Sequence, residues 1–352
     1  VKVAVEISAL DAGHVGINRW IPLMLSSMTE HGVHVSRIAM PGPFKRLGGL
    51  GKYIYFNLYI PALLAFRYSD YDLFIIPNNL SKFLVCPSRK SIYFIHDLIP
   101  LEGADHSSSI KRALLKLKYR QIRSARAIFT TTVFVRKQIV RRLDPRSPIY
   151  ELLGFVDRSL HEVTLPAADE CVSLPNPFLL CIGTGEPRKN IDVILHAYAL
   201  DRDRRLPRLL AFGKSWNNTG HAHILERCRQ YRISDRICLL GPVSDGQLAL
   251  LYGKCLFFIY PSLAEGFGLP PIEAMQFGKR VLVSDLEVFR EVLGDSAHYV
   301  PTNDPAKMYQ ALLEMCNTEP ALPQQSIDLV YSPAAAARRF LAALRSSITA
   351  VP

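Results

Sequence analysis

Short, almost wholly apolar runs recur along this chain, each bounded by turn residues and followed by a segment of helical periodicity. In the first half they are Lys2–Ile7, Val33–Ala39, Tyr71–Ile76, Ser91–Ile95, Ala127–Thr131 and Ile149–Leu153, with a helix expected near Ile17–Glu30. In the second half they are Phe178–Ile182, Leu209–Phe212, Ile237–Leu240, Leu256–Tyr260 and Arg280–Ser284. A strand that is apolar on both sides has no face to give to water. Such strands belong in a parallel sheet covered by helices on both faces. The pattern predicts two sets of strand–helix units rather than one.

Length agrees, because 352 residues exceed what one core of this class usually fills. Between the two sets, Pro166, Pro175 and Pro177, with Asp169 and Glu170, interrupt the periodicity as a linker does. The expected division is a first domain over 1–160, a linker over 161–177 and a second domain over 178–332. An Ala-rich helix over 333–352 is expected to return across the first domain.

Composition excludes several classes. Nearly half the residues are hydrophobic, so both cores are well supplied and wholesale disorder is ruled out. A membrane-spanning helix needs about 18 apolar residues. The nearest candidate, Tyr53–Phe66, is shorter and carries Asn57 and Pro61. The opening Val1–Leu10 reads as a strand, not as a signal peptide. The seven cysteines form no C-x-x-C pair and no cluster at zinc spacing, so they read as reduced core residues of a cytoplasmic protein. No metal site and no cofactor are expected.

The net charge of +11 is concentrated. Lys111, Arg112, Lys116, Lys118, Arg120, Arg123, Arg126, Arg136, Lys137, Arg141 and Arg142 follow one another with no acidic residue between them. The spacing of Arg112, Lys116, Arg120 and Arg123 puts them along one helical face. Such a face is either simply solvated or docks on anionic lipid, where each basic residue contributes about 1 kcal/mol. Phe44–Tyr68 sets Lys45, Arg46 and Lys52 beside aromatics and leucines, which suits a segment dipping into a membrane interface. Nucleic acid is the rival partner, but zinc modules, RNP-like aromatic motifs and a helix-turn-helix are all missing from the sequence.

Two loops carry the chemistry. Gly185-Glu186-Pro187-Arg188-Lys189-Asn190 follows an apolar strand and opens a helix. Two cations beside a helix N-terminus suit a polyanionic leaving group such as a nucleoside diphosphate, with no metal needed. An exposed basic turn would read the same way in isolation. Pro261 to Met275 follows the strand ending at Tyr260 and contains Glu265-Gly266-Phe267-Gly268-Leu269-Pro270-Pro271, with a helix expected from Pro271 to Gly278. Ligands of open α/β sheets bind beyond the carboxyl ends of the strands, where this loop lies. Glycines let the backbone approach a ligand, and ionised Glu265 and Glu273 accept hydrogen bonds from hydroxyls. With both carboxylates near the start of that helix, they are expected to face one pocket. Glu273 placed on the helix dipole is the plainer reading.

The string Glu265-x7-Glu273, with Gly-Phe-Gly-Leu-Pro inside it, resembles the signature of the retaining glycosyltransferases of family 4. The Arg188-Lys189 turn resembles the same family's diphosphate site. Gly13-His14-Val15-Gly16 and His96-Asp97-Leu98-Ile99-Pro100 are similar to its N-terminal loop and its His-Asp-x-x-Pro stretch. Two segments depart from the family pattern. Leu153-Gly154-Phe155-Val156-Asp157 stands where Asn-Gly-Val-Asp is usual, and Thr131-Thr132 where many members have Ser, so no contact is carried over from either.

The resemblance implies a GT-B fold of two Rossmann-like domains facing across a cleft. It implies that Arg188 and Lys189 hold the diphosphate, Glu273 the ribose and Glu265 the donor sugar's hydroxyls. Backbone N–H groups of Gly266, Phe267, Gly268 and Leu269 would orient sugar and phosphate. Gly13 and Gly16 would face the donor, and His96 would line the cleft beside the transferred sugar. The context of His96 is similar to that of bacterial mannosyltransferases of polysaccharide and O-antigen assembly. GDP-mannose is therefore the expected donor, a UDP-sugar the alternative, and a lipid-linked or saccharide chain the acceptor, at the inner face of the plasma membrane.

Overall fold

The computed structural model describes residues 1–8, 10, 15–77, 89–99, 122–156, 159–163, 174, 176–183, 185–213, 218–318 and 330–349. They form two compact units, Val1–Phe155 with Tyr331–Pro352, and Val156–Val330.

The first unit is built on β1 (Lys2–Glu6), α1 (Val15–Glu30), β2 (His34–Ile38), α2 (Gly42–Arg46), α3 (Gly48–Ile54), α4 (Ile60–Phe66), β3 (Leu73–Ile76), β4 (Ser91–Ile95), β5 (Ala127–Thr130), α5 (Val133–Leu143) and β6 (Ile149–Glu151). The strands make one parallel sheet in the order β2-β1-β3-β4-β5-β6. Every residue of β3, β4 and β5 is buried, as their apolar runs require. Thr132 caps α5 by accepting from the Val135 N–H at 3.1 Å.

Residues 42–66, which hold most of the segment expected to dip into a membrane interface, are helical, with a π-helical turn at Tyr55–Tyr59 between α3 and α4. Pro61 stands in the first turn of α4, directly after that π-helical turn. Tyr55, Phe56, Ile60 and Leu64 point into the core beside Ile38, Tyr93 and Ile95. Leu47, Leu50, Tyr53, Leu58 and Phe66 are left exposed.

The second unit contains α6 (Ser159–Glu162), β7 (Phe178–Ile182), α7 (Ile191–Leu200), β8 (Arg208–Phe212), α8 (Asn218–Gln230), β9 (Ile237–Leu240), α9 (Asp245–Lys254), β10 (Phe258–Tyr260), α10 (Leu269–Gln276), β11 (Val281–Ser284), α11 (Glu287–Leu293), β12 (His298–Val300) and α12 (Pro305–Asn317). Its parallel sheet has the order β12-β11-β10-β7-β8-β9. Counted within the unit, that is the doubly wound dinucleotide-binding order, with a topological switch point between β7 and β10. Local signals agree with it. Ser244 and Gln247 form a capping box on α9, and Asp304 accepts from the Lys307 N–H at 2.9 Å ahead of Pro305 on α12.

The chain closes with α13 (Pro333–Thr349), which belongs to the first unit and packs on α1. Its Ala336, Phe340 and Leu344 join Trp20, Ile21 and Met24 in one core, with the Phe340 ring edge-on to Phe129 at 6.1 Å. Arg126 fixes its last turn, donating from Nε to the Ser347 carbonyl at 2.6 Å and from Nη2 to that of Ile348 at 2.8 Å. Among the described residues, no helix is long and apolar enough to cross a membrane.

Candidate functional site

The two chemistry-bearing loops leave the carboxyl ends of β7 and β10, neighbouring strands at the switch point. That is where a doubly wound sheet opens a crevice for ligand. The loops are tied to each other as well, since the Leu263 N–H donates to the Arg188 carbonyl at 2.8 Å.

After β7 the backbone turns through Gly183 at φ 107°, a conformation open to glycine. A Cβ there would lie 2.4 Å from Lys189 Cγ, so only a glycine lets the lysine side chain pass. Pro187–Lys189 is a single 3-10 turn. Asn190 follows at φ 53° and is pinned by its Nδ2, which donates to the Thr302 carbonyl at 2.7 Å before α7 begins.

The structure folds both cations of this turn toward the Glu265 loop. Lys189 is only 9% exposed, and its Nζ donates to Glu265 Oε1 at 2.6 Å and to the Tyr260 hydroxyl. Arg188 Nη1 donates to the same Oε1 at 2.8 Å and to the Ala264 carbonyl at 3.0 Å. Arg188 Nη2 reaches Glu186 at 2.9 Å. The physical reason is desolvation. An ammonium taken out of water costs several kcal/mol unless charge and hydrogen bonds meet it, and Glu265 with Tyr260 supplies both.

The protonation states follow from this packing. Burial pushes the Glu265 carboxyl up, but Lys189 and Arg188 outweigh it and hold the group below its ordinary 4.5. Burial works against the Arg188 charge, and Glu265 with Glu186 overcomes it. Burial, then the nearby Glu265 charge, pushes the Tyr260 phenol well above 10. At neutral pH Glu265 is thus a carboxylate, Arg188 a cation and Tyr260 a neutral phenol.

Beyond Glu265, Gly268 takes φ 91° and caps α10. A Cβ on Gly268 would meet the Phe289 ring at 2.5 Å. The helix begins at Leu269 rather than at Pro271, because prolines at its second and third positions sit where N–H groups are not needed. Glu273 therefore falls in the second turn. It is buried, and its Oε2 accepts from the Tyr252 hydroxyl at 3.1 Å. Glu265 and Glu273, expected to face one pocket, are thus engaged with different partners: Glu265 with the two cations, Glu273 with a phenol.

Tyr252 and Tyr260 also belong to this site, and no motif marks them in the sequence. The Tyr252 ring stacks on Phe277 at 5.6 Å, and Phe277 on His161 of α6 at 4.1 Å. A single tyrosine inside an apolar helix or strand carries no local mark of such a role.

In the first unit, His96 follows β4, stacked on Phe94 at 4.2 Å with Nε2 3.1 Å from the Pro77 carbonyl. A carbonyl only accepts, so Nε2 carries the proton. Burial lowers the pKa to about 4 against the opposing effect of that carbonyl, which keeps the ring neutral at physiological pH. Gly16 lies in the first turn of α1, while Gly13 falls outside the described residues. Residues 111–121 of the basic run also fall outside them. In its remainder, Arg123 pairs with Asp144 at 2.5 Å and Arg136 with Glu151 at 3.0 Å, while Lys137, Arg141 and Arg142 are exposed. Among the described residues, no group of three or more His, Cys, Asp or Glu is placed to hold a metal ion.

Two doubly wound units, one with cations gathered at its switch point, define an α/β protein of GT-B architecture. The model of the "Glycosyl transferases group 1" family matches residues 172–327, the unit that carries the site. The O-antigen chain mannosyltransferase B of Escherichia coli is 30% identical over 259 residues, 71% of this chain and 67% of that protein. The chain belongs to this glycosyltransferase family. The serotype-specific mannosyltransferase WbdA of Escherichia coli is 31% identical over 219 residues, 58% of this chain. That match spans about a quarter, 26%, of WbdA. The sucrose-phosphate synthase of Thermosynechococcus elongatus shares the fold, with a TM-score of 0.67 at 17% identity over 97% of this chain and 94% of that one.

Proposed function

We propose that this protein is a retaining hexosyltransferase that moves mannose from GDP-mannose to a lipid-linked or saccharide acceptor in polysaccharide assembly. The observation that carries the reading is the convergence of Arg188 and Lys189 on one oxygen of Glu265 at the switch point. Two fixed cations at the strand ends would hold the donor diphosphate and stabilise its charge as it leaves, with no metal ion required. The mannose assignment rests on the two mannosyltransferase relatives.

Glu265 would accept from the donor sugar's hydroxyls and Glu273 from the ribose. The N–H groups at the start of α10 would orient sugar and phosphate. In the same-face reaction the bond from the anomeric carbon to the phosphate oxygen breaks and the acceptor oxygen bonds to that carbon. The hydroxyl proton passes to the leaving phosphate, so no separate base is assigned. Glu265 as a covalent nucleophile is disfavoured, because a carboxylate shared by two cations attacks poorly. Trapping of a glycosyl–Glu265 adduct would overturn this.

The acceptor end of the reading is a cytoplasmic membrane surface. The exposed Leu47, Leu50, Tyr53, Leu58 and Phe66, set among exposed Lys45, Arg46, Lys52 and Arg67, support docking on anionic lipid. The deciding experiment is calorimetric titration with GDP, UDP and their sugar conjugates in EDTA. Selective binding of GDP and GDP-mannose, weakened in Arg188→Ala, is expected. Preference for a UDP-sugar would replace the donor, and indifference to Arg188→Ala would remove the site.

A further inference from the structure

The contact that positions Lys189 comes from a residue with no assigned role. Tyr260 is the last residue of β10, 2% exposed, and its hydroxyl accepts from the Lys189 ammonium. Its ring lies with its centroid 4.5 Å from the same Nζ. The ring also packs against Phe289 at 6.0 Å, and Phe289 fills the space that a side chain on Gly268 would need. A continuous line of contact thus runs from Lys189 through Tyr260 and Phe289 to the N-cap of α10.

Two physical points give that line a task. A lysine is a point charge on a flexible stem, and it holds a diphosphate well only when its orientation is set beforehand. Glu265 alone sets it poorly, because the carboxylate attracts the ammonium wherever it lies nearby. A buried neutral phenol at the end of a rigid strand adds a direction, and with Glu265 as the other acceptor it leaves one of the ammonium's three protons for an anion.

We propose that Tyr260 is a positioning residue for the diphosphate-binding cation. Its hydroxyl holds the Lys189 ammonium in its ligand-ready orientation, and its ring, braced by Phe289 beneath Gly268, couples that orientation to the start of α10. The inference rests on the reading that Lys189 contacts the donor diphosphate.

The test is a double-mutant cycle on the full chain, read by calorimetry with GDP and GMP, and with UDP and UMP, in EDTA. Tyr260→Phe keeps the ring and removes the acceptor. It should weaken nucleoside diphosphate binding roughly 10- to 100-fold while changing monophosphate binding less than about threefold. In a Lys189→Ala background the same change should have little further effect, since the two act through one contact. Equal losses for diphosphate and monophosphate, or an undiminished loss in the Lys189→Ala background, would assign Tyr260 a general packing role and overturn the inference. Wild-type affinity in Tyr260→Phe would overturn it too. If Lys189→Ala itself binds diphosphate normally, the failure lies in the functional reading underneath. Should Tyr260→Phe not fold, Phe289→Leu keeps every polar group and loosens only the brace. It should give a smaller loss confined to the diphosphate, and no loss would refute the coupling.

Discussion

Arg188 Nη1 lies 2.8 Å from Glu265 Oε1, the oxygen that Lys189 also reaches. The carboxylate is therefore the counter-ion of both cations, and in the proposed reading a donor diphosphate would share them with it. Glu265→Gln should separate binding from turnover. Freed of a competing charge, the cations should bind GDP as tightly as in the wild type or more so. Turnover should fall roughly 100-fold, because the amide no longer supplies the charge that a sugar hydroxyl donates to in the transition state. Steady-state kinetics beside calorimetry checks it, and unchanged turnover would remove Glu265 from the site.

The same pair predicts a pH dependence of stability. Lys189 and Arg188 hold the folded Glu265 below its ordinary 4.5 despite burial. A depressed carboxyl stabilises the folded state fully above its unfolded value and loses that contribution as pH falls through the folded one. The melting-temperature advantage of wild type over Glu265→Gln should be constant above about pH 5 and shrink as pH falls below 4.5. An advantage that persists unchanged at pH 3 would contradict the ion cluster.

What the sequence displayed and what it hid differ for physical reasons. Ser91–Ile95 and Phe178–Ile182 match the observed strands because an apolar run buried on both faces has one solution. β12 (His298–Val300) and α11 (Glu287–Leu293) were missed. The first is a three-residue edge strand that leaves His298 exposed, and the second is a two-turn helix whose buried Val288, Phe289, Val292 and Leu293 form too brief a pattern to stand out. The helices between Gly42 and Phe66 hid because their apolar residues point both inward and outward, which erases the periodic contrast. At the site, glycine spacing marked both loops. The inward fold of Lys189 and the Tyr252–Glu273 bond depend on neighbours distant in sequence and left no local trace.

Tyr252 is fully buried and donates to a buried carboxylate. Tyr252→Phe keeps the ring on Phe277 and withdraws one donor from Glu273. Loss of a buried hydrogen bond to a charged acceptor should cost about 1–3 kcal/mol of stability. If Glu273 binds the ribose, affinity for GDP and for guanosine should fall together, unlike the diphosphate-selective loss expected at Tyr260. Chemical denaturation and calorimetry on the one variant give both numbers, and an unaltered unfolding midpoint would show that the bond contributes nothing.

The proposed membrane docking makes the sharpest demand on the first unit. Leu58 is 64% and Phe66 85% exposed, so their replacement by serine should leave stability within about 0.5 kcal/mol. Each side chain would gain on the order of 2 kcal/mol if it entered the acyl boundary. The double substitution Leu58→Ser, Phe66→Ser should therefore weaken co-sedimentation with phosphatidylglycerol vesicles at least tenfold, with nucleotide binding unchanged. Raising salt should weaken the wild type as well, because the basic residues alongside act through screened charge. Wild-type binding by the double variant would move the contact away from α2–α4. Loss of binding on neutral and anionic vesicles alike would show that the apolar side chains, rather than the charges, set the affinity.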